Sequence, residues 1–217
     1  MVTPNVSSLI ARAFAMASAK NPGLSAVWIR ISFRLGGMLP NSMLVASIQQ
    51  DGNLDALLRA MEDERRAATS NQEDHLLEFN YQVMLSELWV GRFYEHLRLL
   101  VERGLLPDTE EVKALAEDFR LLRVPIEKHE ITSQGQLTGP LQLHRRPAQG
   151  NPSDTYVYDK ADTQRAHIMP RSVSQRGSLM WQAVDLKNSE NKWIERRQLS
   201  DRILAIWGAE TPSEQSG

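Results

Sequence analysis

With 217 residues, 41% apolar and 24% charged, the chain is long enough for one well-filled core and has the composition of a globular protein. Its formal charge of −2 excludes a surface that grips nucleic acid all over, while leaving room for a local basic face. The absence of cysteine excludes disulfides, thiolate metal sites and cysteine nucleophiles together; it favours a reducing compartment, and cytoplasmic is the expectation.

Residues 5–19 pattern as a helix, because Leu9, Ile10, Ala13, Phe14 and Ala17 recur at helical spacing. The small-residue run after Arg12 is too short and alanine-rich for a signal peptide, and no segment has the length to cross a bilayer; no membrane partner is expected. Asn21-Pro22-Gly23 ends the first helix. Val27 to Leu35 alternates like a strand but has no neighbouring strand to pair with, so a helix stopped by Gly36-Gly37 is the better reading. Pro40 and Asn41 open a short helix to Gln50, Asp51-Gly52-Asn53 reads as a turn, and Leu54 to Ala68 as an amphipathic helix. Leu54, Leu57, Leu58 and Met61 face inward there, ahead of a charged end. Thr69 to Gln72 breaks that helix.

The centre of the chain is a helical hairpin. From Leu76 to Val101, Phe79, Val83, Val90, Tyr94, Leu97 and Val101 form one apolar stripe, and Met84, Leu88 and Leu99 a second. Gly104 to Asp108 makes the turn, and Asp108 or Thr109 caps the next helix. Its core face is Val112, Leu115, Ala116, Phe119, Leu122 and Ile126. Glu87 and Arg123 fall inside the two apolar stripes, where unpaired charge is costly, so they are expected to meet across the hairpin, with Tyr94 or Glu130 nearby. Pro125 should kink or stop the second helix near Val124.

Arg123, five intervening residues and His129 resemble the Arg-x(4–6)-His pattern of HEPN domains, a helical-bundle family that includes many metal-independent ribonucleases. The resemblance covers residues 73–131. It implies that His129 handles the proton of a ribose 2′-hydroxyl or leaving group and that Arg123 stabilises phosphorane charge. Glu87 and Glu130 would be their neighbours, and dimers of the family often build a composite site. Val124 stands where catalytic members carry a polar residue, and Pro125 interrupts the motif.

After Ile131 the composition changes. Ser133 to Pro140 is loop, Leu141–His144 and Thr155–Tyr158 are strand candidates, and 161–176 has no clean period. Ser178–Asp185 and Lys192–Arg197 flank a hairpin loop; Ser200 caps a helix over Asp201–Trp207, and 209–217 reads as a disordered tail. Arg145, Arg146, Arg165, Arg171 and Arg176 are candidate phosphate contacts among Tyr156 and Tyr158, although Asp154, Asp159 and Asp162 dilute that field and a loop-rich surface of mixed charge is the commoner explanation.

No phosphate-binding glycine loop, dinucleotide fingerprint or nucleophile elbow is present, and the five histidines are scattered. The expected fold is mainly α: a helical bundle over 1–131 and a small α+β subregion over 132–208, a β-hairpin plus terminal helix. The expected function is an interaction or regulatory protein that self-associates through helices into a homo-oligomer, with no cofactor or metal. A HEPN-like ribonuclease or RNA-binding relative is the alternative.

Overall fold

The computed structural model describes residues 5–67, 74–144 and 155–208. Five helices come first: α1 (Val6–Lys20), α2 (Pro22–Gly37), α3 (Leu44–Ala67), α4 (Asp74–Glu102) and α5 (Glu110–Lys128). A hairpin of β1 (Leu141–His144) and β2 (Thr155–Tyr158) follows, then a sheet of β3 (Arg171–Val173), β4 (Leu179–Asp185) and β5 (Glu190–Glu195), and finally α6 (Arg196–Gly208). The fold is mainly α with a small α+β part, as expected from the sequence.

Caps set the corners. Asn5 accepts a hydrogen bond from the Ser8 amide at 2.8 Å to start α1. Asn21 ends α1 and caps α2 by accepting from the Leu24 amide at 3.3 Å, with Pro22 in the first turn. Of the two candidates for α5, Thr109 is the cap. Its first turn carries Glu110 and Glu111, which suit the positive end of the helix.

One core runs through both halves of the chain. Trp28, Ile31 and Leu35 from α2 meet Ile48 and Leu58 from α3, Trp89, Phe93 and Leu97 from α4, and Leu115, Phe119 and Leu122 from α5. Leu179, Trp181 and Ala183 of β4, Ile194 of β5 and Ile203 of α6 belong to the same cluster. The ring pairs Trp28–Phe93, Trp89–Phe93 and Phe93–Phe119 lie 5.8, 5.5 and 5.6 Å apart, so Phe93 is the hub. A smaller cluster of Ile131, Leu143, Tyr158 and Val184 fastens the β1–β2 hairpin.

Four expectations need correcting. Asp51-Gly52-Asn53 is no turn; it lies in the middle of α3, one continuous helix from Leu44. The Trp28 indole lies so close that a Cβ on residue 52 would sit 2.5 Å from its Cγ, so this glycine serves helix packing. Pro125 does not stop α5, which runs on to Lys128. The carbonyl of Leu121, which a proline at 125 deprives of its amide, has the Thr132 hydroxyl at 3.5 Å; the same hydroxyl is 3.3 Å from the Arg120 carbonyl. Helix α6 begins at Arg196, not near Asp201, so Arg196 and Arg197 leave the expected strand. Finally, β3 lies inside the stretch that showed no period, because three half-exposed residues are defined by pairing with β4 and not by a pattern of their own. The expected 209–217 tail lies outside the described residues.

Gly52→Ala should destabilise the fold by about 1–3 kcal/mol, since Trp28 and the α2–α3 crossing must move apart. Urea denaturation monitored by tryptophan fluorescence measures this. A stability equal to that of the parent would show that the crossing has slack.

Candidate functional site

Helix α4 is the longest in the chain, and its two sides differ. Its inner side buries Val83, Trp89, Val90, Phe93, Leu97 and Leu100. Its outer side carries Leu77, Tyr81, Met84 and Leu88, which are 66, 58, 63 and 52% exposed. Their spacing of four, three and four residues places them on one line along the helix, the spacing of a seam between paired helices. The stripe ends at Gly91, beside a cleft of about 370 Å³ lined by Leu88, Arg92, Ile126 and the carboxylates of Glu87, Glu95 and Glu127. Met84 and Leu88 were expected in such a stripe. Leu77 and Tyr81 were not, although the same spacing carried them. Leu99 is half-buried, and Val101, expected inside, is 48% exposed.

Val101 lines a second cleft, of about 630 Å³, between the end of α4 and the start of α5. Tyr94, Leu97, Leu106, Val112 and Ala116 form its apolar lining. The charges around it are paired with one another: Arg98 with Glu95 and Glu102, Lys113 with Asp108 and Glu110, and Arg120 with Glu117.

Glu87 and Arg123 do not meet. The Arg123 guanidinium lies 3.2 Å from Glu95 and 2.8 Å from Glu127, with its carbon 5.5 Å from the centre of the Tyr94 ring. Glu87 instead faces Arg171 of β3 at 2.6 Å, close in distance but off the line of a hydrogen bond. The hairpin register explains the exchange. Glu95 is the α4 carboxylate opposite Arg123, and Glu87 lies two turns, about 12 Å, further along the axis. Tyr94 was correctly placed beside Arg123; Glu130 was not, for its carboxylate lies 3.0 Å from Arg165.

His129 is exposed and closes α5 in a left-handed conformation, φ 54°, with its amide donating to the Pro125 carbonyl. No hydrogen bond or ion pair links it to Arg123 among the described residues. Its carbonyl accepts the His167 amide at 2.7 Å. His167 is therefore pinned beneath the end of α5, buried, with Nδ1 2.5 Å from the Tyr156 hydroxyl and Nε2 without a partner. Burial pushes its imidazole down to about 4. Tyr158 donates to Gln134 at 2.5 Å, and Gln134 also accepts from Arg165 at 3.1 Å. The cluster locks the β1–β2 hairpin to the helix.

The arginines expected to make a phosphate field are in separate ion pairs. Arg165 meets Glu130, Arg171 meets Glu87, and Arg176 meets Glu195 and Asp201. Burial alone would raise the Glu195 and Asp201 carboxyls; hydrogen bonds and charge from Arg176, joined by Ser174 at Glu195 and Arg59 at Asp201, together outweigh it and hold both below the ordinary range. Arg145 and Arg146 lie outside the described residues.

A histidine–aspartate contact that the sequence separated by 45 positions is buried between α3 and α4. Asp51 Oδ2 lies 2.7 Å from His96 Nε2, and Asp51 Oδ1 accepts from Arg92. The Ser47 hydroxyl is 3.2 Å from the same Nε2. A serine nucleophile relay needs its two partners on opposite ring nitrogens, whereas here both share one, so the cluster is a helix clamp. No group of three acidic or histidine side chains suited to a metal ion occurs among the described residues, nor does a helix long and apolar enough to cross a membrane. Comparison of the chain with protein-family models, with curated proteins and with solved structures finds no match.

His167 gives a pH signature. Above its ordinary pKa of 6.5 the ring is neutral folded or unfolded; as the pH falls, the unfolded chain takes up a proton that the folded one refuses until about 4. Stability should therefore drop by about 2 kcal/mol between pH 7 and pH 5. That window lies above the range in which the depressed carboxyls titrate. Urea denaturation at the two pH values should show the drop in the parent and not in His167→Gln; equal slopes would place His167 in contact with water.

Proposed function

We propose that this chain is an interaction protein that self-associates through the outer stripe of α4. The observation that carries the reading is the line of Leu77, Tyr81, Met84 and Leu88, four large apolar side chains more than half in water on an otherwise well-packed helix. A seam spaced in threes and fours is met best by another helix crossing at a shallow angle, and a two-fold pairing lets one stripe serve both partners. Charge near the stripe is mixed in sign, with Glu78, Glu87 and Arg92 on the same helix, so a second copy meets no uniform repulsion. The seam is short, which suits reversible association.

A ribonuclease of the HEPN type is the competing reading. What favours self-association is the setting of Arg123: two carboxylates and a tyrosine ring already face its guanidinium, and among the described residues no hydrogen bond or ion pair links it to His129.

Size-exclusion chromatography with light scattering should show a concentration-dependent dimer that Met84→Glu with Leu88→Glu converts to monomer without loss of helical signal. A parent that stays monomeric at high concentration removes the reading. Incubation with labelled RNA separates the alternative, since cleavage lost in both Arg123→Ala and His129→Ala would establish it. The expected result is no cleavage by the parent.

A further inference from the structure

A different face, at the start of the chain, remains. The first fifty residues contain no aspartate or glutamate and carry Arg12, Lys20, Arg30 and Arg34. The whole chain is −2 and this part +4, so the remainder is −6. That asymmetry falls on α1 and α2, which together leave six large apolar side chains in water.

On a helical wheel the large apolar residues of α1 span an arc of about 160°: Met16, Leu9, Val6, Ile10 and Phe14 in angular order, with Ala13 and Ala17 between them and the other alanines outside it. The bundle covers only one edge of that arc. Ala17 is buried and Phe14 half-buried, while Val6, Leu9, Ile10 and Met16 are each more than half exposed. Helix α2 follows and presents Ile29 and Phe33, one turn apart, to solvent. Of the cations, Arg12 is exposed, Lys20 pairs with Glu64 at the surface, and Arg30 turns inward to the Gly208 carbonyl that ends α6.

We propose that α1, with the outer side of α2, docks on the surface of an anionic membrane, with α1 lying in the plane of the headgroups. Aliphatic and aromatic side chains enter the acyl boundary, and Arg12 meets acidic headgroups. Lying on a bilayer needs no helix of spanning length. Three occupants compete, and charge with side-chain chemistry separates them. A second copy docking the same face would set helices that carry cations and no acid of their own against each other, with Glu64 of α3 already held by Lys20, the like-charge juxtaposition that interfaces avoid. Nucleic acid would satisfy Arg12 and leave Leu9, Ile10, Met16 and Phe33 with no apolar counterpart. An acidic lipid surface satisfies both.

Flotation tests this with vesicles of phosphatidylcholine alone and of phosphatidylcholine with phosphatidylserine. The parent should float with the phosphatidylserine vesicles at low salt, lose that binding as salt rises, and ignore the neutral ones. Leu9→Gln combined with Ile10→Gln and Met16→Gln should weaken binding by about tenfold or more, and Arg12→Glu by about fivefold. These side chains are exposed, so helical signal and melting temperature should match the parent. Met84→Glu with Leu88→Glu should leave flotation intact, which separates this face from the α4 seam. Absence of flotation, equal binding to both vesicles, or undiminished binding by the triple variant overturns the proposal. So does a triple variant whose only change is its mass in light scattering, because a second copy would then cover the face.

Discussion

The fold hangs on a positive charge with no access to water. Arg196, the first residue of α6, is wholly buried; its guanidinium donates to Glu62 at 2.7 and 2.8 Å, donates also to Asp55, and lies 5.5 Å from the Trp89 ring centre. Asp55 takes further hydrogen bonds from Trp28 and Arg59, and Glu62 one from Ser178. Burial by itself would raise the Asp55 carboxyl, but the charges of Arg196 and Arg59 prevail and hold it low. Burial would likewise lower the Arg196 pKa, and its two carboxylates more than offset that and hold the guanidinium charged. Each ion is tolerable only while the others are in place, so losing one partner costs on the order of 3–5 kcal/mol. The clasp joins α3, α4, α6 and, through Ser178, the turn that leads into β4, which is why the two halves of the chain share one core.

The turn ahead of β4 shows how tightly that junction is made. Gly177 sits at φ 77° against the backbone of α3, where a Cβ would lie 2.2 Å from the Glu62 carbonyl oxygen. Its own carbonyl accepts from Gln82 of α4 at 2.8 Å, and Gln82 accepts from Arg65 at 2.7 Å. Two helices and a turn are thereby fixed in one arrangement of polar groups. Apolar packing alone tolerates sliding; directional bonds of this kind set the rotation of α4 about its axis. The rotation decides which side chains of α4 look inward. Leu77, Tyr81, Met84 and Leu88 face water because Trp89, Phe93 and Leu97 are held in the core on the other side.

What the sequence made legible was whatever depends on period and local chemistry. The apolar spacing of α4 and α5, the Asn21-Pro22 corner, the Thr109 cap and the β4–β5 hairpin are written in neighbouring residues. Partners across space were harder. Asp51-Gly52-Asn53 has turn chemistry, yet Gly52 answers to Trp28 and Asp51 to Arg92 and His96, all distant in the chain. Lys192 to Arg197 reads as one strand, but Arg196 is drawn into α6 by carboxylates more than a hundred residues away. For Arg123 the sequence announced a need for an acid without naming which one, because several acids on α4 suit it and only the hairpin register chooses Glu95.

Candidate catalytic groups on such a chain are easily overcounted. Charges in apolar stripes, a histidine near an arginine and a cluster of arginines all mark chemistry in enzymes, and each also marks the joints of a helical protein. Here the described arginines singled out from the sequence each face a carboxylate supplied by the fold, so their charge is spent on holding elements together. Unspent free energy lies instead in exposed apolar area. Its two largest groups lie on helices that differ in the charges they carry: α4, where both signs are present, and α1, which has no acid of its own. Equal grease in unequal fields selects different partners, because hydrophobic burial supplies attraction without direction and the charges decide what can approach.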